Sequence, residues 1–437
     1  MIEPPHAFIR YILQRGAEAQ AAKGWRKEQD DAHRTYTDIL KRIAIAQETG
    51  ENTRNLTRLF LRDRKVRLSA ALRVMGLNPD RQATYALRDL VNPWANDLPP
   101  IAWYWKAKSS GGARPICKLS DAVKATHAML ASLIKSHLRP GPMLYGVSGK
   151  GSADAAIALK AAQIAGYGHL AKVDVRDCFQ SFNPEAIYTL KYLPKEVTSR
   201  TLDTRNLSFA YEGKAGRRPC CSLMHSLDHH NASGPQGLIQ GSPASSAILA
   251  TLLNSVPLSG DVKVFICFDN IAVAAKDPAG SRATIKLLAD FLNRFSAGPL
   301  ALCDAEYADN GPMEFLGYLF DPARMDIGLA ERAFVKLAES LILAEEADIA
   351  AGREFPLLVW KALRDFRNGY AAVNDMYVEA EAYLDHSANL ADRSDAARHY
   401  HANLFQPSGT EIGDQLNFLT AQVKTIKRRK HHGRPAA

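Results

Sequence analysis

A carboxylate at the end of a β-branched run constrains this chain more than any other feature. In Lys172-Val173-Asp174-Val175-Arg176-Asp177-Cys178-Phe179-Gln180-Ser181-Phe182 the valines predict a strand that delivers Asp174 to a turn or helix start, where Asp177 and the aromatic Phe179 follow. A strand carboxylate among apolar neighbours is costly unless it is paired or holds a cation, so Asp174 requires partners from elsewhere in the chain. Two later stretches offer them. Gly237-Leu238-Ile239-Gln240-Gly241-Ser242-Pro243-Ala244-Ser245-Ser246 is a small-residue loop running into an apolar helix, and Val264-Phe265-Ile266-Cys267-Phe268-Asp269-Asn270-Ile271-Ala272-Val273 is a hairpin-like apolar run with a polar pair at its centre.

In this order and spacing the three stretches resemble motifs A, B and C of reverse transcriptases, especially the bacterial retron, group II intron and phage-defence types. The resemblance spans residues 100 to 325, and Gln240-Gly241-Ser242-Pro243-Ala244-Ser245 is close to a family signature. It implies an α+β right-hand polymerase, with fingers and palm on an antiparallel, RRM-like sheet over 99–325. A helical basic extension over 1–98 precedes it, and a helical thumb with a basic tail over 326–437 follows.

The chemistry so implied is RNA-templated DNA synthesis. Nucleotide addition is an in-line phosphoryl transfer, and two divalent cations would stabilise the attacking and leaving oxygens. Hard Mg²⁺ wants oxygen ligands on rigid strands. By resemblance these are Asp174, Asp269 and the backbone carbonyl of Val175. Phe179 would lie under the sugar and exclude a 2′ hydroxyl, while Gln240 and Gly241 would shape the floor beneath the nucleotide.

Asn270 departs from the pattern. The family has two carboxylates together at this turn, and Asn supplies only a neutral carbonyl oxygen. Two outcomes follow: Asp174 and Asp269 suffice, with weaker Mg²⁺ binding and Mn²⁺ as an alternative, or the polymerase is inert. Gly298 to Glu306 departs too, because the family's leaving-group lysine is absent there and the nearby residues are acidic.

Upstream, Ile101 to Lys108 and Ala113 to Cys117 flank a Ser-Ser-Gly-Gly turn and predict a cationic hairpin carrying Lys106, Lys108 and Arg114. In the family such cations hold the triphosphate, a task that needs donors of fixed geometry. Between Asn55 and Met75 a basic amphipathic helix is predicted, with arginines beginning at i, i+4 spacing and Gly76 and Pro79 ending it. Tyr145 to Ser152 is a glycine-rich turn with Lys150 before a helix. It breaks the P-loop order and looks like the family's second fingers motif, along which the template passes. Leu287 to Phe295 reads as an amphipathic helix, and Glu314 to Tyr318, with Gly317, resembles the short hairpin that grips the primer strand.

The chain has 437 residues with 46% hydrophobic and 23% charged content, which describes a globular protein of several subdomains. A net charge of +9 favours a polyanionic partner. Nucleic-acid contacts are expected from Lys150, Arg217, Arg218 and Gly317, and from a tail containing Lys427, Arg428, Arg429 and Lys430. Scattered cysteines, no signal peptide and no spanning apolar run predict a cytoplasmic protein without a membrane partner. The cluster of Cys220, Cys221, His225, His229 and His230 fits no standard zinc spacing. Residues 328–437 read as helical, and no nuclease, integrase or hydrolase pattern accompanies them. The expected partners are therefore an RNA template in the form of a dedicated noncoding RNA, nascent DNA and deoxynucleotides, in an antiphage-defence or retron-like setting; an oligomer or protein partner stays open. An RNA-templated RNA polymerase and an inert nucleic-acid-binding subunit are the alternatives.

Overall fold

The computed structural model describes residues 6–76, 79–96, 98–107, 113–147, 149–212, 235–257, 261–308, 311–321 and 326–330, together with individual residues between 333 and 372. The fold is mixed α+β and divides into two compact units, each assembled from three chain segments. The first comprises Met1–Gly141, Val175–Val256 and Ala289–Ala301; the second comprises Pro142–Asp174, Pro257–Leu288 and Leu302–Ala437.

In the first unit a long helix α1 (His6–Thr49) packs on α3 (Arg64–Met75) and α5 (Asp121–His137). Ala32, Tyr36, Ile39, Ile43 and Ala46 recur every three or four residues and are buried, which gives α1 a single apolar stripe. Tyr36 meets Phe60 of α2 (Arg54–Arg62) edge-on, with ring centroids 5.0 Å apart. The sequence pattern predicts one helix across Asn55 to Met75, and the structure has two. Asp63 breaks it by adopting an extended conformation (φ −65°, ψ 129°) and accepting hydrogen bonds from the Lys65 and Val66 amides at 2.8 and 3.0 Å, so it caps α3. Helix α4 (Arg81–Leu90) follows, capped by Asp80.

The predicted hairpin forms from β1 (Ile101–Ala107) and β2 (Ala113–Lys118), which pair antiparallel. A short strand β5 (Phe209–Tyr211) joins β1 in parallel. Ile101, Trp103, Cys117 and Val123 form the apolar cluster beneath, with Ile239. Helix α7 (Lys195–Thr201) packs on α5, as does α8 (Pro243–Leu253).

The second unit is built on a five-stranded sheet in the order β3 (Leu144–Tyr145), β6 (Val262–Cys267), β7 (Asn270–Ala275), β4 (His169–Asp174), β8 (Glu306–Ala308). All pairings are antiparallel except β3 with β6. Strand β7 is buried from Ile271 to Ala275, as an uninterrupted apolar run in a central strand should be. Its Ala272 and Ala274 share a core cluster with Ala155, Ala156, Leu159 and Ala162 of α6 (Ser152–Ile164), small residues on both sides that allow close approach.

The helix expected from Leu287 begins earlier, as α9 (Pro278–Asn293). Strands β9 (Met313–Phe315), β10 (Tyr318–Asp321) and β11 (Asp326–Leu329) form a second antiparallel sheet. The turn between β9 and β10 has φ 56° at Leu316 and 85° at Gly317, the two positive angles of a type I′ hairpin. Residues 328–329, read as helical from sequence, belong to a strand because they pair with Tyr318 and Leu319. No described helix is long and apolar enough to cross a membrane.

The Asp63 cap is testable. Asp63→Ala should lower unfolding free energy by about 1 kcal/mol in chemical denaturation, and Asp63→Asn should retain most of it, because either side-chain oxygen accepts the α3 amides.

Candidate active site

Strand β4 ends at Asp174, and its register with β7 sets Asp174 directly opposite Asn270. Opposed residues of an antiparallel pair share a face, with Cβ atoms about 4.5–5.5 Å apart. Asn270 also closes the β6–β7 hairpin opposite Cys267, so the two-residue turn between them consists of Phe268 and Asp269. Sequence places Asp269 within a strand; the structure puts it in the turn, one residue before β7. The Asn270 Nδ2 donates to Asp269 Oδ1 at 3.0 Å. Asp174 is thus brought to the adjacent pair Asp269 and Asn270, far along the chain, within the second unit.

The Asp174 carbonyl accepts the Cys303 amide at 2.8 Å, which fixes the end of the strand. One pleat earlier, Lys172 forms an ion pair with Glu306 of β8 at 2.9 Å. The acidic residue noticed downstream is therefore balanced across the sheet. Beside the turn, burial and then the Asp269 charge push the Cys267 thiol up to about 11, so it stays protonated at neutral pH.

As a donor set, two carboxylates and an amide oxygen suit a hard divalent cation, with one negative charge fewer than three carboxylates would give. Among the described residues no group of three His, Cys, Asp or Glu side chains is assembled to hold a metal ion.

Val175, Phe179, Gln240, Gly241, Lys106 and Arg114 lie in the first unit. After Val175, the Arg176 amide bonds the Ala301 carbonyl at 2.8 Å and Asp177 takes φ 43°, starting the turn that carries half-buried Phe179. The Phe179 carbonyl accepts the Leu238 amide at 2.7 Å. Gly237 (φ 67°) lies so close to the Phe179 backbone that no side chain fits. Gly241 (φ 103°) also lies close to β2, where an added Cβ would lie 2.9 Å from the Cys117 carbonyl oxygen. The Gln240 carbonyl accepts the Cys117 amide at 3.0 Å. The motif B loop is therefore joined both to the turn after motif A and to the cationic hairpin.

Lys106 and Arg114 are directly opposed across that hairpin, and both are exposed. Like charges in this relation destabilise a ladder, and an anion between them would relieve the repulsion. Lys150 is exposed, with Nζ 5.9 Å from the Tyr145 ring centroid. A Cβ on Gly317 would meet the Tyr370 hydroxyl at 2.7 Å, so close packing as well as turn geometry selects glycine there. Lys108, Arg217, Arg218, the Cys220 to His230 cluster and Lys427 to Lys430 lie outside the described residues.

Sequence reasoning passed over His127. It lies on the buried face of α5, and its Nδ1 is 2.7 Å from Ser242 Oγ, the hydroxyl that also caps α8 by accepting the Ala244 amide at 3.1 Å. With Nδ1 unprotonated it accepts the Ser242 O–H, and motif B is pinned to a core helix. Burial drives its pKa down to about 4, with the Thr201 backbone acting weakly the other way. The only sequence signal is a histidine at an apolar helical position.

No protein-family model and no curated protein matches this chain. It is structurally similar, at low identity, to solved telomerases. An apo Candida tropicalis telomerase truncated from its C-terminal domain matches at 15% identity and TM-score 0.33, over 54% of this chain and 56% of that one. A Candida albicans telomerase in complex with a TWJ fragment of telomeric RNA matches at 11% identity and TM-score 0.34, over 75% of this chain and 62% of that one. The chain thus spans less than two thirds of the length of either telomerase.

Neutral buried His127 sets a pH dependence. Its folded pKa of about 4 lies below the unfolded 6.5, so the unfolded chain binds the extra proton between these values. Stability is full above pH 6.5 and falls as pH drops toward 4, by up to about 1.4 kcal/mol per unit from this residue. Urea denaturation across that range should show the slope, and His127→Gln should flatten it.

Proposed function

We propose that this chain is an RNA-templated DNA polymerase, a reverse transcriptase in which residues 99–325 act as fingers and palm and the helical segments on either side as extension and thumb. The observation that carries the reading is the β4–β7 register, which opposes Asp174 to Asn270 while Asn270 holds Asp269 by a 3.0 Å hydrogen bond. A carboxylate at a strand end and a second in the adjoining hairpin turn, with the Asn270 side chain of β7 in register with the first and bonded to the second, suit what phosphoryl-transfer chemistry asks of a scaffold.

Asp174 and Asp269 would hold Mg²⁺ or Mn²⁺, with the Val175 carbonyl as a further ligand. A cation bound there supplies charge neutralisation and polarisation of a phosphoryl oxygen. The Asn270 amide donates to one oxygen of Asp269 and so orients the carboxylate. Arg114 and Lys106, with Lys108, would neutralise the triphosphate of the incoming deoxynucleotide. Phe179 would stand against a 2′ hydroxyl, and the glycine-lined backbone at Gln240 and Gly241 would admit the base closely. Lys150, Arg217, Arg218, Gly317 and the Lys427 to Lys430 tail are assigned to template and primer strands. A dedicated noncoding RNA template and a defence or retron-like role in the cytoplasm belong to the same proposal and rest on the motif resemblance.

A second reading, an inert nucleic-acid-binding subunit, is favoured by Asn270 alone, since the amide leaves the cluster one carboxylate short. Primer extension on an RNA template with Mg²⁺ or Mn²⁺ separates the two. The polymerase incorporates deoxynucleotides, and Asp174→Ala lowers the rate by at least about 100-fold, the upper end of what loss of a metal's outer-shell partners costs. Phe179→Ala raises ribonucleotide use roughly ten- to hundredfold. The inert subunit binds RNA equally well with and without Asp174 and extends nothing under any metal.

Asn270→Asp tests the missing charge. A third carboxylate should lower the Mg²⁺ concentration for half-maximal extension by about tenfold in a metal titration.

A further inference from the structure

The turn that carries Asp269 has an unusual first residue. A two-residue hairpin loop with positive φ at its first central position is the type II′ pattern, in which glycine is the usual occupant. Here that position is Phe268, with φ 59°. Placing a bulky L-residue in the left-handed region costs about 1–2 kcal/mol, so something outside the turn must stabilise it.

The Phe268 ring supplies the anchor. It packs against the core cluster that contains Tyr145, Phe265 and Cys267, and its tip rests on Gly146. A Cβ built on Gly146 would lie 2.6 Å from Phe268 Cζ and 2.9 Å from Cε2, closer than carbon atoms approach. Gly146 is held in place independently. It follows β3, whose Tyr145 is in register with Cys267; its amide bonds the Lys150 carbonyl at 2.6 Å, and Lys150 bonds back to Val147 at 3.0 Å. A phenylalanine has only two side-chain torsions, and this one is half-buried with its ring against the core cluster. A methyl group at 146 therefore displaces the ring from this seat and removes the contact that anchors the turn.

We propose that Gly146 is a positioning residue for Asp269: the bare backbone at 146 is the seat that keeps the Phe268 turn in its strained form and so aims the Asp269 carboxylate. The inference rests on the reading of Asp269 as a cation ligand for its functional weight, while the geometry of the contact stands apart from that reading.

The same glycine-rich turn contains a control. Gly149 has φ 82°, nearly the 79° of Gly146, but a Cβ there would meet nothing within 4 Å. Gly146→Ala and Gly149→Ala thus carry the same backbone strain, and only the first strikes Phe268. The full-length protein is read in two ways: binding of Mn²⁺ alone by calorimetry, and the side-chain amide resonance of Asn270 in asparagine-labelled protein, assigned by its loss in Asn270→Asp. Gly146→Ala should shift that resonance and weaken Mn²⁺ binding about tenfold, within the range for disturbing a ligand's supports. Gly149→Ala should do neither, and adding Gly146→Ala to Phe268→Ala should change nothing further.

Equal effects of the two glycine variants, or an undiminished effect of Gly146→Ala without the ring, overturn the proposal. Phe268→Ala tests the contact from the other side if Gly146→Ala does not fold, and an unmoved Asn270 resonance there also overturns it. Mn²⁺ binding that is absent, or indifferent to Asp174→Ala, would refute the cation reading, and the amide resonance would still decide the role of Gly146.

Discussion

Everything proposed for this chain depends on the pairing of β4 with β7. Side chains alternate faces along a strand, so a one-residue slip would carry Asp174 away from Asn270 and exchange the two buried faces of β7. Packing opposes that slip, because Ile271 and Val273 are too large for the positions where Ala272 and Ala274 meet the small residues of α6. The polar cluster at the strand ends is therefore specified by hydrophobic packing further along the same strands. The carboxylates need no mutual attraction to be assembled, and two like charges could provide none.

The glycines of the motif B loop express a second constraint of the same kind. Gly237 and Gly241 sit where another backbone passes within contact distance, and the loop is further held by Ser245 Oγ bonding the Ile239 carbonyl at 2.8 Å and Thr204 Oγ1 bonding the Gly237 carbonyl at 3.0 Å. With His127 below Ser242, the loop is anchored at both ends before any ligand arrives. Such prior anchoring reduces the ordering cost of binding.

Much of this was legible in the residues. The valine-rich run before Asp174, the apolar flanks of Asp269 and Asn270 and the glycine turn between Lys106 and Arg114 all announced strands, because period-two patterning and turn chemistry are local properties. What escaped was non-local. Asp63 reads as one more surface residue of a basic helix until its side chain is seen capping the next. Residues 328–329 lie at the start of a helical composition and become a strand only through β10. Asp269 falls in the turn because the hairpin closes at Cys267 and Asn270, a choice that periodicity leaves open by a residue. His127 offered no signal beyond its place in an apolar row, since its partner Ser242 lies far along the chain.

The opposed cations of the β1–β2 hairpin give ionic strength two contrary effects on this protein. Lys106 and Arg114 repel one another across a ladder that their own strands hold shut. Added salt screens that repulsion and tightens the empty hairpin, and the same screening weakens its hold on any polyanion. The hairpin is therefore most strained where it would bind best, and an anion seated between the two side chains would act as a cross-strand staple.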